Sequence, residues 1–235
     1  DVPGETLSPT QPFPTHPPPL HAPRLALADA WGFTPFDRAY CRDLIASARN
    51  EGLFTPPSLE GSLQFPGSAG GPNWGGVAID PASAMLYVNQ IHAGAIVKLV
   101  PRAEYDADTA PASYPKERYP MRGAPYGVSR LPLLSNFGAP CNPPPWGTLA
   151  AIHLPTGEVK WEVPLGMIPE RFTQFAAFHG KPFGVPNGGG PLLTASGLVF
   201  IGAAMDDRIR AFDTETGAEV WSAMLPRSGI ATPMS

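Results

Sequence analysis

The sequence predicts an all-β chain built as part of a β-propeller, and three observations predict it. A signature recurs sixty residues apart: Ala151, Thr156-Gly157 and Trp161 stand at the same offsets as Ala211, Thr216-Gly217 and Trp221. Short apolar runs bounded by turn residues fill the chain from Gly75 onward. Twenty-five glycines and 32 prolines among 235 residues supply turns, while a hydrophobic fraction of 43% and five tryptophans argue against disorder.

The signature has a simple physical reading. A strand ends, Thr-Gly makes a turn in which glycine takes a positive φ, and the return strand carries a tryptophan four residues after the glycine. An indole at a fixed place in each repeat suits the wedge between neighbouring blades, where it buries roughly 150–250 Å². Propellers close rings of about four to eight blades, and this chain holds about three or four.

Residues 1–30 read as a Pro-rich surface arm, with Pro17-Pro18-Pro19 forcing an extended path. Residues 31–235 read as the partial propeller. One helix is expected after Thr34, a plausible N-cap, with Pro35 in the first helical position and Asp37 in the first turn. Phe36, Tyr40 and Leu44 would form its apolar face, and Gly52 would close it near Asn50. Strands are expected at 77–79, 85–88, 95–100, 148–154, 158–163, 191–194, 198–203, 209–212 and 219–224. Residues 101–146 and 167–190 read as irregular insertions; a loop as long as the first is functional or packed on its own residues.

A net charge of −4 and a pI near 5.7, with no Lys/Arg cluster, exclude nucleic acid as an expected partner. No apolar run is long enough to span a membrane, and no basic-then-apolar leader opens the chain, which starts as if cut from something longer. The spacing of Cys41 and Cys141 fits neither a zinc knuckle nor a redox pair. Two buried thiols, or one disulfide in an oxidising compartment, remain open. His16, His21, His92, His153 and His179 show no metal-ligand spacing.

Several segments carry a family likeness. Trp31-Gly32-Phe33-Thr34-Pro35-Phe36-Asp37, Phe54-Thr55-Pro56-Pro57-Ser58, the run from Asn73-Trp74-Gly75-Gly76 to Pro81, Pro125-Tyr126-Gly127-Val128, Pro145-Trp146-Gly147, Gly189-Gly190-Pro191 and the stretch from Leu198 to Met234 stand in one order along the chain. Together they resemble the membrane-bound pyrroloquinoline-quinone-dependent dehydrogenases, most closely the glucose/quinate/shikimate group. The resemblance implies an eight-bladed propeller of which this chain is roughly the C-terminal half, with the quinone on its axis beside Ca²⁺ or Mg²⁺. It implies oxidation of a sugar or polyol hydroxyl, glucose foremost. A carboxylate base takes the proton while hydride passes to the quinone, and electrons leave to membrane ubiquinone. It also implies a place at the periplasmic face of the bacterial inner membrane, anchored by N-terminal segments not present in this chain. The family's catalytic aspartate, cofactor-binding lysine and metal ligands come from earlier blades. The resemblance therefore assigns no catalytic or metal-binding residue here, and this piece alone is expected neither to turn over nor to hold cofactor tightly.

What the chain contributes, on this resemblance, is part of the cofactor pocket. Asn89 matches a family asparagine that hydrogen-bonds the cofactor; its amide would donate to quinone or carboxylate oxygens without adding charge. The bland alternative is a strand-end turn residue. Asn73 and Trp74 lie one strand earlier, and Trp74 would line the cofactor face or pack between blades. Trp146 would close over the pocket or pin the long loop. Asp206 matches a family aspartate on the substrate side, unless Asp206-Asp207 is a solvated hairpin tip. Two departures, the extra glycine in Asn187-Gly188-Gly189-Gly190 and Arg208 where an aromatic is common, bear on substrate identity. A competing reading is a non-catalytic Trp-motif propeller that scaffolds an outer-membrane assembly complex; the capped helix and the long loops speak against it.

Overall fold

Among the residues described by the computed structural model (2–6, 8–109 and 116–234), twelve strands form three four-stranded antiparallel sheets. The strands are β1 (Ser62–Gln64), β2 (Ala78–Asp80), β3 (Met85–Ile91), β4 (Ala95–Pro101), β5 (Glu117–Tyr119), β6 (Tyr126–Pro132), β7 (Gly147–His153), β8 (Glu158–Pro164), β9 (Leu192–Leu193), β10 (Leu198–Ile201), β11 (Arg208–Asp213) and β12 (Glu219–Met224). Two helices, α1 (Pro35–Ala46) and α2 (Arg102–Ala107), accompany them. The chain divides into two units, and the expected 1–30 arm is shared between them.

The first unit comprises Asp1–Phe13, Ala22–Ser68 and Ala93–Pro143. Its sheet runs β1-β4-β6-β5. Helix α1 begins as expected: Thr34 Oγ1 accepts the Asp37 amide at 3.1 Å. The buried face is not the expected one. Asp37, Cys41 and Ile45 point inward, whereas Phe36 is 87% exposed and Tyr40 is also exposed. The reason is covalent and polar: Cys41 is bonded to Cys141, and the Asp37 carboxylate accepts the amides of Phe33 and Asn136, both at 3.0 Å. Those partners turn the helix one ridge away from its apolar spacing. The helix also stops at Ala46, before Asn50 and Gly52, with the Ser47 amide closing on Asp43 and Leu44. Of the two readings left open for the cysteines, the disulfide holds. It sits among Leu25, Ala30, Ile45, Leu63 and Leu133.

The stretch expected to be an irregular insertion at 101–146 contains α2, β5 and β6, with 110–115 outside the described residues. It packs on its own residues. The Arg102 guanidinium reaches the carbonyls of Pro120, Ala124 and Tyr126, and Arg118 stacks on Tyr105 with 4.5 Å between guanidinium carbon and ring centre. These side-chain-to-carbonyl bonds have no periodicity, so the sequence pattern does not show them.

The second unit comprises Pro14–His21, Ala69–His92 and Pro144–Ser235 and holds two sheets, β2-β3-β7-β8 and β9-β10-β11-β12. The second of these is continuous in sequence. The other two sheets interleave, since β2 and β3 fall between β1 and β4. The repeated signature is now explained. Gly157 and Gly217 take φ of +66° and +71°, and both hairpins slip register at the same place, after Ala151↔Trp161 and after Ala211↔Trp221. Trp161 wedges between the two sheets: its Nε1 donates to Thr214 O at 2.9 Å, and a Cβ on Gly217 would lie 2.7 Å from the indole. Tyr87, Leu149, Val199, Ile201 and Phe212 complete the core between them.

The disulfide closes a loop of 100 residues. Loop-closure entropy then predicts that Cys41→Ser with Cys141→Ser destabilises the complete polypeptide by about 5 kcal/mol. Denaturant unfolding of the variant checks this. Two titratable thiols in denatured, unreduced native protein would refute the pairing.

Candidate functional site

The site grows from the end of β3. Its register with β7 runs from Met85↔His153 to Ile91↔Gly147 and places Asn89 opposite Leu149, on the face that Tyr87 commits to the inter-sheet core. Asn89 is 2% exposed. Its Nδ2 donates to Asn187 Oδ1 at 2.5 Å and to Gly189 O at 2.8 Å. Both amide hydrogens are therefore spent inside the protein, while Oδ1 is buried with no partner. This corrects the sequence reading in one respect: Asn89 is neither a turn residue nor an available donor, and what it has to offer is an acceptor.

Around Asn89 three backbone segments lie against one another. A Cβ on Gly75 would stand 2.3 Å from Gly189 C, one on Gly190 2.0 Å from Gly75 O, and one on Gly189 2.7 Å from Ala231 O. Thr232 Oγ1 donates to Gly75 O at 2.9 Å and fastens the layers. Gly188, by contrast, has ordinary clearance, 3.8 Å to Ile230, so it is the glycine of this run whose place a larger side chain fits.

Asn73 and Trp74 precede Gly75 and so border this layer. Asn73 makes a local turn, its Oδ1 accepting the Trp74 amide at 2.7 Å. The Trp74 indole is 81% exposed and fills no wedge between sheets. Trp146 is buried and pins its segment: its amide donates to Phe183 O and its carbonyl accepts the His92 amide, both at 3.0 Å, with Phe183 edge-on at 5.7 Å.

Asp206 joins the same neighbourhood through residues 185–189. Asn187 pairs with Ala204, the Gly188 amide donates to Ala203 O, and the Met205 amide donates to Pro186 O. The carboxylate is no solvated hairpin tip. It is buried in a two-pronged ion pair with Arg210, accepts the Met167 amide at 3.0 Å, and Arg210 Nε reaches Glu219 at 3.1 Å. Asp207 has a different fate, pairing with Arg171 and Ser228.

Sequence reasoning missed Asn187 and Arg210. Each left a signal: an amide directly before three glycines that allow close approach, and an arginine between Ile209 and Ala211 with an acid four residues back. Among the described residues no group of three His, Cys, Asp or Glu side chains is arranged to hold a metal ion. His92 sits beside Thr148 (Nε2 to Oγ1, 2.9 Å), and burial, with a smaller push from His21, lowers its pKa to about 4. Glu162, 3.9 Å away and over a third exposed, is too distant and too hydrated to reverse that.

The sequence profile of the PQQ-type glucose/ethanol/alcohol dehydrogenase β-propeller domain matches residues 1–235. The chain is 40% identical to a quinate/shikimate dehydrogenase (quinone) of Acinetobacter baylyi over its whole length, covering 30% of that protein. It is 38% identical to a quinoprotein glucose dehydrogenase of Escherichia coli (99% of this chain, 30% of that one) and 39% identical to a glycerol dehydrogenase large subunit of Gluconobacter oxydans (100% and 33%). The chain thus spans about a third of the length of these relatives.

Two outcomes follow for variants of the complete polypeptide. Asp206→Ala leaves the buried Arg210 guanidinium with only the partly exposed Glu219 as an ionic partner and is expected to cost about 3 kcal/mol in chemical denaturation, with Arg210→Met restoring much of the loss; a cost under about 1 kcal/mol contradicts the pairing. For His92, the folded pKa lies below the free value of 6.5, so the unfolded chain takes the proton first. Its contribution is full above about pH 7 and is lost as pH falls from 6.5 towards 4. His92→Gln should flatten the decline of the denaturation midpoint over that window, and identical slopes would show that His92 is not held neutral.

Proposed function

We propose that this chain, which belongs to the PQQ-type glucose/ethanol/alcohol dehydrogenase β-propeller family, forms part of the cofactor pocket of an enzyme that oxidises a hydroxyl of a sugar, polyol or cyclitol. The family uses pyrroloquinoline quinone with a divalent metal. When bound, the quinone takes up the two electrons of the oxidation. The observation that carries the proposal is the orphaned, buried Oδ1 of Asn89 beside the layered glycine backbones. A buried acceptor without a partner costs about 1–3 kcal/mol, and a ligand that brings an N–H or O–H relieves that cost.

The geometry supports the following division of labour among the chain's residues. Asn89 accepts a hydrogen bond from the cofactor. Gly75, Gly189 and Gly190 bring main chain close because no Cβ stands between. Trp74, on its turn beside them, offers an exposed indole face. Trp146 holds the pocket segment in place from within the core. Asp206 acts on the substrate side through position, holding the Met167 amide while Arg210 neutralises its charge. With its oxygens so engaged it is not the base that takes the hydroxyl proton. That base, and the ligands for Ca²⁺ or Mg²⁺, come from other blades of the same polypeptide.

The substrate class is drawn broadly because relatives named for quinate/shikimate, glucose and glycerol differ by no more than two points of identity to this chain. Glucose therefore stands as one candidate beside the cyclitols and glycerol. Transfer of electrons to ubiquinone at the periplasmic face of the inner membrane completes the proposal. The buried disulfide supports it, since such bonds persist in oxidising compartments.

The test is reconstitution of the complete polypeptide with pyrroloquinoline quinone and Ca²⁺, then dye reduction with glucose, quinate, shikimate and glycerol. Dye reduction with at least one of them is expected. Absence of both cofactor binding and dye reduction ends the dehydrogenase reading in favour of a scaffold.

A further inference from the structure

The Asn89–Asn187 pair has a direction, and the main chain sets it. Asn187 Nδ2 donates to Gln90 O at 2.8 Å and to Val185 O at 3.3 Å. Both partners are carbonyl oxygens, which only accept, so the Asn187 amide has one workable orientation: nitrogen towards the main chain, Oδ1 towards Asn89. That Oδ1 accepts from Asn89 Nδ2, whose second hydrogen goes to Gly189 O. Turning Asn89 over would set its oxygen against two acceptors at hydrogen-bond distance. The polarity of two backbone carbonyls is thus relayed through Asn187 to Asn89, and Oδ1 is what Asn89 has left to present.

Resting on the reading of Asn89 as a cofactor contact, we infer that Asn187 is a positioning residue that acts through Asn89. It locks the Asn89 amide as an acceptor, so that this point of the pocket selects an N–H or O–H and rejects a carbonyl or carboxylate oxygen. A quinone bearing a ring N–H among many oxygens would meet this acceptor through that N–H. Without Asn187, the Gly189 carbonyl alone would hold the Asn89 amide in this orientation, and the discrimination would weaken.

A double-mutant cycle in the complete polypeptide tests the relay, with cofactor affinity of the apoenzyme read by fluorescence quenching on titration with pyrroloquinoline quinone and Ca²⁺. Asn89→Ala and Asn187→Ala are each expected to raise Kd about tenfold, and the double variant no further than either alone. An unchanged Kd in Asn187→Ala, or a double variant showing the product of the two single effects, overturns the positioning role while leaving the cofactor reading of Asn89 intact. An unchanged Kd in Asn89→Ala overturns that reading, and the inference with it. The melting temperature of each apo variant confirms that it is folded. If Asn187→Ala does not fold, Asn187→Ser takes its place in the cycle under the same criteria.

Discussion

In the second unit, everything near Asn89 depends on how Trp161 meets the turn that follows β11. The indole bonds the Thr214 carbonyl and lies against Gly217, where a Cβ would stand inside its van der Waals surface. Tyr87 Oη reaches the same carbonyl, at 3.4 Å, from β3. One carbonyl therefore ties the outer strand β8 and the inner region of β3 to the neighbouring sheet. With that spacing set, Leu149, Val199, Ile201 and Phe212 close the core, and the two sheets present their loop segments at a definite separation. Asn89 lies two residues beyond Tyr87 on the same face, so the indole that docks the sheets also positions the amide.

What the docked sheets then share is main chain. Gly75 precedes β2, Gly189 and Gly190 precede β9, and Ala231-Thr232 follow β12. These segments approach more closely than any side chain allows, so what meets here is peptide groups with one amide side chain set behind them. Such a layer moves little, because backbone packed on backbone has no rotamers to exchange. It also carries no charge of its own, and its polarity is fixed by which carbonyls and amides are already spent.

The sequence made the sheets legible and the packing between side chains much less so. The Thr-Gly-x3-Trp repeat revealed two hairpins down to a shared register slip, because a positive-φ glycine and a recurring indole leave a pattern that survives in one dimension. Strands of the second unit were readable within a residue or two for the same reason, except β3, which runs three residues past the expected end at Val88 to Ile91 and so takes in Asn89. Helix α1 shows where patterns mislead: Phe36, Tyr40 and Leu44 have the right spacing for a buried face, yet Cys41 and Asp37 have partners about a hundred residues away that decide which ridge turns inward. β5 and β6 were hidden in a Pro-rich stretch whose order comes from Arg102 and Arg118 grasping carbonyls, an interaction with no period. At the site, Asn89 and Asp206 were findable as residues, but their chemistry was not. Asn89 reverses from donor to acceptor, and Asp206, read as a pocket aspartate or a solvated hairpin tip, is half of a buried ion pair, because both depend on partners, Asn187 and Arg210, that only the fold brings near.

These reversals share a consequence for the chemistry. A dehydrogenase pocket needs charge where the proton and the metal are handled, and charge elsewhere in a buried site is costly. This chain withholds it. Asp206 and Arg210 cancel within the core, the Asn89–Asn187 pair is neutral, the glycine layers are peptide, and burial keeps His92 unprotonated through the neutral range. On the proposed function, surroundings so neutral leave the electrostatic field at the cofactor to groups of the other blades, with the acceptor of Asn89 choosing orientation alone. On that reading, this part of such a ring differs in kind from the rest: the other blades perform the chemistry, and this part holds the cofactor still without competing for its electrons or protons.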